Sequence, residues 1–266
     1  MDTGLKDARV LVTGASGGIG RAIARLLASE GAHVGLHYNR GKDRAEALAR
    51  EIHDAGGHAS VCAADLTDEA AVDALYDEVM TAMGGVDHVV ANAGMRFDEA
   101  KPIHQMALDQ WRATIEGDLT SVFLTCRAFF RHLVDRKRDS ASVVLIGSTA
   151  AVFGEANYAD YSSAKAGMTY GLLKSLKNEI VHLAPRGRVN CVCPGWTRTE
   201  MGRAATSDPK ALARVCATIP MNKIATAEDV AGVVAYLLSD RLSGHVSGQV
   251  IEVAGGMEGR LLRATS

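Results

Sequence analysis

Short runs of aliphatic and β-branched residues alternate along this chain with longer stretches in which apolar positions recur every three or four residues. Residues 8–13, 33–38, 58–63, 86–91, 142–146, 188–192 and 249–253 read as strands, several of them apolar almost without a break. Residues 18–30, 43–55, 67–83, 108–134, 159–183 and 227–238 carry the period of helices. Gly31 and Gly56-Gly57 end two of these helices, and Thr67-Asp68-Glu69 caps a third. Strands alternating with crossover helices require a parallel sheet covered on both faces, with right-handed connections. The expected fold is therefore α/β, a single doubly wound domain spanning residues 1–266.

Composition narrows the class. Of 266 residues, 47% are hydrophobic and 27 are glycine, which suits a large core with tight turns. A formal net charge of −2 gives no reason to expect nucleic acid or an anionic membrane as partner. No apolar run approaches the roughly 20 residues of a spanning helix, and the first residues lack signal-peptide character. Five cysteines at mostly apolar positions, with Cys191-Val-Cys193 lacking a second pair, read as free thiols of a cytoplasmic protein with no metal site.

Two stretches carry chemistry. Gly14-Ala-Ser16-Gly17-Gly18-Ile19-Gly20 joins the first strand to the first helix. Backbone N–H groups bared there attract a pyrophosphate by hydrogen bonds and the helix dipole. The spacing is Gly-x-x-x-Gly-x-Gly, and Gly17 also permits a Gly-x-x-Gly-x-x-Gly register. After the second strand comes Tyr38-Asn39-Arg40-Gly41-Lys42, with no acid before Asp43. A carboxylate there would favour a free ribose 2′-hydroxyl and an arginine a 2′-phosphate. NADP(H) is thus favoured over NAD(H), with Asn39 and Arg40 as the phosphate contacts, unless Arg40 and Lys42 only solvate a helix start. The second stretch is Tyr161-Ser-Ser-Ala-Lys165. Positions i and i+4 of a helix lie about 5–6 Å apart. A cation about 4 Å from a phenol, at an effective dielectric of about 20, contributes roughly 4 kcal/mol, enough to suit the phenol to proton transfer near neutrality.

Together these residues resemble the short-chain dehydrogenase/reductase family, above all its β-ketoacyl-acyl-carrier-protein reductase-like branch, from Val10 to Gly256. The glycine run is joined by Asp65-Leu66, Asn92-Ala93-Gly94, Ser148, Tyr161 with Lys165, and Pro194-Gly195-Trp196-Thr197-Arg198-Thr199. The resemblance implies a Rossmann-like sheet of about seven strands, order 3-2-1-4-5-6-7. It implies hydride transfer between a nicotinamide and a carbonyl carbon, Tyr161 as general acid, Ser148 on the oxygen, and Lys165 assisting Tyr161 and binding the nicotinamide ribose. Asp65, Leu66, Asn92, Ala93, Gly94, Pro194, Gly195, Thr197 and Thr199 would flank the cofactor. Two departures stand out. Asp118 replaces an asparagine thought to hold a relay water, and Ala254 replaces an aspartate near the end. An ionised aspartate accepts hydrogen bonds and cannot donate them.

The same resemblance implies a substrate lid at residues 199–220, a tail at 257–266 and a homotetramer. The apolar faces of residues 122–130 and 168–176 and strand 249–253 fit its interfaces. Pocket candidates are Ala150, Val152, Phe153, Tyr158, Trp196 and Met201. The partners expected are a small carbonyl or alcohol substrate and, if the basic runs 136–138 and Arg186/Arg188 dock one, an acyl carrier protein; otherwise those runs are solvated loops. Three readings follow: a ketone or 3-oxoacyl reductase; a dehydrogenase of a sugar, polyol or other secondary alcohol; and a non-catalytic dinucleotide-binding regulator. An extended-family sugar-nucleotide enzyme, which the second glycine register would permit, is disfavoured because only ten residues follow Gly256.

Overall fold

The computed structural model describes residues 2–200 and 208–259. Within them a seven-stranded sheet has the order β3-β2-β1-β4-β5-β6-β7. The strands are β1 Arg9–Val12, β2 His33–Tyr38, β3 His58–Ala63, β4 His88–Ala91, β5 Ser142–Ile146, β6 Arg188–Pro194 and β7 Val250–Val253. Every neighbouring pair is parallel. Alternate side chains leave opposite faces of a strand, and both faces here are covered. Leu11, Val89 and Val143 enter one core, with Phe129 and Leu173 from the helices above. Val10, Val12, Val90 and Val144 enter the other, against Ile23, Leu27 and Val234. This is why the central strands are apolar throughout.

Helices α1 (Gly18–Ser29), α2 (Lys42–Asp54) and α3 (Glu69–Met83) match the periodicity closely. The two longest helical regions do not run through as single helices. Between α4 (Leu108–Ile115) and α5 (Ser121–Arg136) the chain widens into a π-turn at Glu116–Thr120. A second π-turn, Gly167–Leu172, separates α7 (Ala159–Ala166) from α8 (Leu173–Glu179). Such turns recur at functional sites, and these two adjoin Asp118 and Lys165. A short α6 (Thr149–Phe153) was not anticipated, nor was α9 (Pro209–Cys216), which occupies part of the expected lid. Residues 201–207 of that lid, including Met201, and residues 260–266 of the tail lie outside the described residues.

The basic residues depart most from expectation. Arg188 begins β6, as the strand reading of 188–192 expects, but it is not solvated: it is 2% exposed. Its Nη1 donates to Leu237 O at 2.6 Å and Ser243 Oγ at 2.8 Å, and its Nη2 to Leu238 O at 3.0 Å. It thereby satisfies carbonyls at the C-terminus of α10 (Ala227–Leu238) that the helix itself leaves open. Arg186 pairs with Asp240, and Arg138 with Asp87 at 3.4 Å. All of these sit at the N-terminal ends of the strands, away from any crevice at the C-terminal ends, so they do not present a carrier's arm to one. Of the two apolar stripes, Met168, Leu173 and Leu176 are internal, whereas Phe123 and Tyr170 stay 45% and 48% exposed.

Replacing Arg188 by methionine keeps the stem and strands those carbonyls. Stability should fall by about 1–3 kcal/mol, read as the midpoint of a urea melt; an unshifted midpoint would show that the buried guanidinium contributes nothing net.

Candidate active site

The strand order reverses between β1 and β4, and in open α/β sheets ligands bind outside the carboxyl ends of the strands at such a point. A cleft of about 430 Å³ lies there. Its floor is the glycine loop. Gly14 has φ +64°, and a Cβ on Gly20 would come within 2.4 Å of Gly14 O, so this turn closes around missing side chains. Asn92 clasps it: Nδ2 donates to Thr13 O at 2.9 Å and to Gly14 O at 3.2 Å. Thr13 Oγ1 in turn accepts the N–H groups of Asn92 and Ala93 at 2.9 and 3.0 Å.

His37, on β2, holds the loop from the other side. Gly14 N–H donates to Nδ1 at 3.1 Å, which leaves Nε2 to donate to Ala64 O at 3.1 Å. Burial pushes this imidazole down to about 4, so it stays neutral and keeps both bonds at ordinary pH. It ties the loop to the segment preceding Asp65-Leu66. Asp65 accepts from Thr67 N–H and Oγ–H, which together with nearby Arg40 and Asn39 hold its carboxyl below the usual range. Asn39 and Arg40 are exposed. The cleft is lined instead by Arg44, from the first turn of α2. Its Nη2 lies 2.9 Å, and Ser16 Oγ 2.7 Å, from where a Cβ on Gly41 would sit. Sequence reasoning missed Arg44 because it stopped at the residues directly after β2; the signal available was a third cation within one turn.

At the other end, Ser148, Tyr161 and Lys165 line the same cleft. Ser148 leaves β5 as the cap of α6; its Oγ accepts Ala150 N–H at 3.1 Å, which leaves its own proton to donate outward. Lys165 is 4% exposed. Its Nζ donates to Ile146 O at 3.1 Å and lies 5.7 Å from the centre of the Tyr161 ring. A Cβ on Gly94 would meet Asp118 Oδ1 at 2.9 Å and Lys165 Nζ at 3.1 Å, so carboxylate and ammonium close on one glycine. Asp118 Oδ1 accepts Met95 N–H at 2.6 Å, and Oδ2 is buried without a protein partner. Burial raises the Asp118 carboxyl above the ordinary range, opposed by Lys165 and by the Met95 N–H. Burial pulls Lys165 down, but Asp118 first and then Tyr161 outweigh it, and its pKa lies above the usual lysine value.

Pro194, Gly195, Trp196, Thr197 and Thr199 complete the wall, with Ala150 and Met257. Thr197 Oγ1 donates to Gly195 O at 3.0 Å. Other pocket candidates are displaced. Val152 packs on the core and Phe153 lies beside Gly259, so neither faces the cleft. Tyr158 stands behind Arg96, whose guanidinium is 4.7 Å from its ring centre, and donates to Asp98 O at 3.2 Å. Met95, Arg96, Glu155 and Glu200 line the cleft and were not anticipated.

A family model described as enoyl-(acyl carrier protein) reductase matches residues 14–258. The 3β-hydroxysteroid dehydrogenase 1 of Eggerthella lenta is 37% identical over 95% of this chain and 94% of its own length. A 3-oxoacyl-[acyl-carrier-protein] reductase of Salmonella typhimurium is 36% identical over 93% of this chain and 96% of its own. The chain belongs to the short-chain dehydrogenase/reductase family. Among solved structures, a short-chain type dehydrogenase/reductase from Mycobacterium ulcerans superposes with a TM-score of 0.87 at 28% identity, covering 94% of this chain and 90% of that one. The protein is an oxidoreductase of alcohol or ketone groups that uses a nicotinamide dinucleotide. No helix among the described residues is long and apolar enough to cross a membrane.

Because Asp118 holds the Lys165 ammonium protonated, replacing it by asparagine should lower the lysine pKa. The alkaline limb of kcat/KM against pH then moves to lower pH, with turnover kept within about tenfold because asparagine still accepts the Met95 N–H. A pH profile that superposes on the wild type would remove Asp118 from this role.

Proposed function

We propose that the protein is an NADPH-dependent reductase of ketones, with 3-oxoacyl compounds the leading substrate class. The geometry that carries this reading is the convergence of Ser148, Tyr161 and Lys165 on one cleft whose far end is the glycine loop. The bared turn at Gly14 and Gly20 fits a pyrophosphate, and when bound the nicotinamide supplies the hydride. Tyr161 gives its hydroxyl proton to the carbonyl oxygen as general acid. Ser148, whose lone pair is already engaged by Ala150 N–H, donates to that oxygen where negative charge grows. Lys165 lies against the Tyr161 ring, and its remaining N–H groups suit the nicotinamide ribose. Asp118 matches its charge.

Preference for NADPH rests on Arg44, which lines the end of the cleft where the adenosine ribose would lie, with the exposed Arg40 four residues before it as a second cation. The likeness to a 3β-hydroxysteroid dehydrogenase favours a second reading, oxidation of a secondary alcohol by the same residues run in reverse. A homotetramer would cover the exposed Phe123 and Tyr170.

Tyr161→Phe should abolish nearly all turnover, by at least about a hundredfold, while NADPH still binds as judged by nucleotide fluorescence. Near-normal turnover would overturn the assignment. Arg40→Ala and Arg44→Ala should each weaken NADPH by about tenfold or more and NADH much less; equal losses for the two nucleotides would place the 2′-phosphate elsewhere.

A further inference from the structure

Two charged side chains stand on the substrate side of the cleft with no part in the chemistry above. Arg96 follows Gly94 by two residues, and Gly94 itself lies against Lys165 and Asp118. Glu155 follows α6, the helix that Ser148 opens. Arg96 Nη1 pairs with Glu155 Oε1 at 3.1 Å, their side chains 14% and 29% exposed. Both line the cleft with Ser148 and Tyr161.

The pair is held from behind. The Arg96 guanidinium lies over the Tyr158 ring, 4.7 Å from its centre, and Tyr158 is itself anchored to Asp98 O. The backbone N–H of Glu155 donates to Ser162 Oγ at 3.1 Å, beside Tyr161 in sequence. A guanidinium has five N–H donors, and the bond to Glu155 uses one; Glu155 keeps a second carboxylate oxygen. One small surface thus offers donors and acceptors side by side.

Charge decides what this surface takes. Glu155 already neutralises Arg96, and Glu200 lines the same cleft. A substrate carboxylate would therefore meet no net positive charge on this side. A wholly apolar group would cover the remaining Arg96 N–H groups and the second Glu155 oxygen without offering either a partner, which is costly. A neutral group that both donates and accepts satisfies both. We infer that the Arg96–Glu155 pair is a substrate-recognition element, selecting carbonyl compounds that carry a hydroxyl or a secondary amide beyond the reacting carbon. This rests on the proposed reductase reading. A polyhydroxylated ketone and the amide of a pantetheine-like arm share this chemistry.

The test compares kcat/KM for methyl butyl ketone, the analogue whose terminal methyl is a hydroxyl, and levulinate, on the wild type, Arg96→Met and Glu155→Gln. Acetoacetyl-N-acetylcysteamine against the S-butyl thioester of acetoacetate forms the amide arm and separates the two sources. Wild type should prefer the hydroxyl or amide member over its apolar partner. Arg96→Met should reduce that preference about 10- to 100-fold, and Glu155→Gln, which unmasks the guanidinium, should shift preference towards levulinate. Equal losses on polar and apolar members would make the pair merely structural and overturn the inference, as would levulinate being the best wild-type substrate. Should no ketone be turned over while NADPH still binds, the reductase reading fails. The melting temperature of the NADPH complex then decides: a rise with the hydroxylated ketone in the wild type and none in Arg96→Met supports recognition, and no rise in either overturns it.

Discussion

A buried ammonium is the feature around which the Ser148–Tyr161 end of the cleft is arranged. Taking one charge out of water costs several kcal/mol in real proteins, so Lys165 can be internal only where its surroundings replace the lost hydration. Three groups do so from three elements: the Ile146 carbonyl at the end of β5, the Asp118 carboxylate in the π-turn before α5, and the aromatic ring of Tyr161 one helical turn away. The sheet fixes the first, a helix irregularity the second and a helix repeat the third. Gly94 is where these constraints meet, since any side chain there would strike both Asp118 and Lys165. The glycine after the fourth strand is thus required by the crowding of the lysine as much as by the approach of a ligand.

The nucleotide end obeys a different rule. Here hydrogen bonds rather than charge fix the backbone, and they form a closed set: Thr13, Asn92 and His37 between them take up the polar groups at the start of the loop. A neutral imidazole suits this, since it accepts from Gly14 and donates to Ala64 at once. Protonation would cost the Gly14 bond. The low pKa that burial imposes keeps that event far from neutrality.

Strand positions, the glycine loop and the Tyr161–Lys165 pair were legible in local patterns of apolar runs and residue spacing, whereas the sheet order and the place of Ser148 came from the resemblance to a family. What escaped depends on contacts between distant segments. Arg188 was counted with Arg186 as a solvated cation although it opens the predicted sixth strand, because nothing local shows that its ligands are the carbonyls of a helix about fifty residues on. The π-turns at Glu116–Thr120 and Gly167–Leu172 escaped because each changes the phase of the apolar period by a single residue, too small a shift to show within a long amphipathic stretch. Val152 and Phe153 were counted as lining because they follow Ser148, but α6 turns them away, and Glu155 beyond its end faces the cleft instead. No property of Arg96 or Glu155 taken singly announces a partner fifty-nine residues away.

Asp118 connects the two halves of the substrate side. Its Oδ1 closes on Gly94 opposite the Lys165 ammonium and also receives the Met95 N–H at 2.6 Å. Met95 directly precedes Arg96, so one carboxylate in a π-turn fixes the backbone from which Arg96 departs and raises the pKa of the lysine beside Tyr161. An apolar residue would leave the Met95 amide without its acceptor and remove the charge that faces Lys165. The aspartate therefore constrains the position of the polar wall relative to the proton donor. In the proposed reaction that relation, more than the size of the cleft, would set which part of a substrate lies against Arg96 and Glu155 while its carbonyl oxygen meets Tyr161.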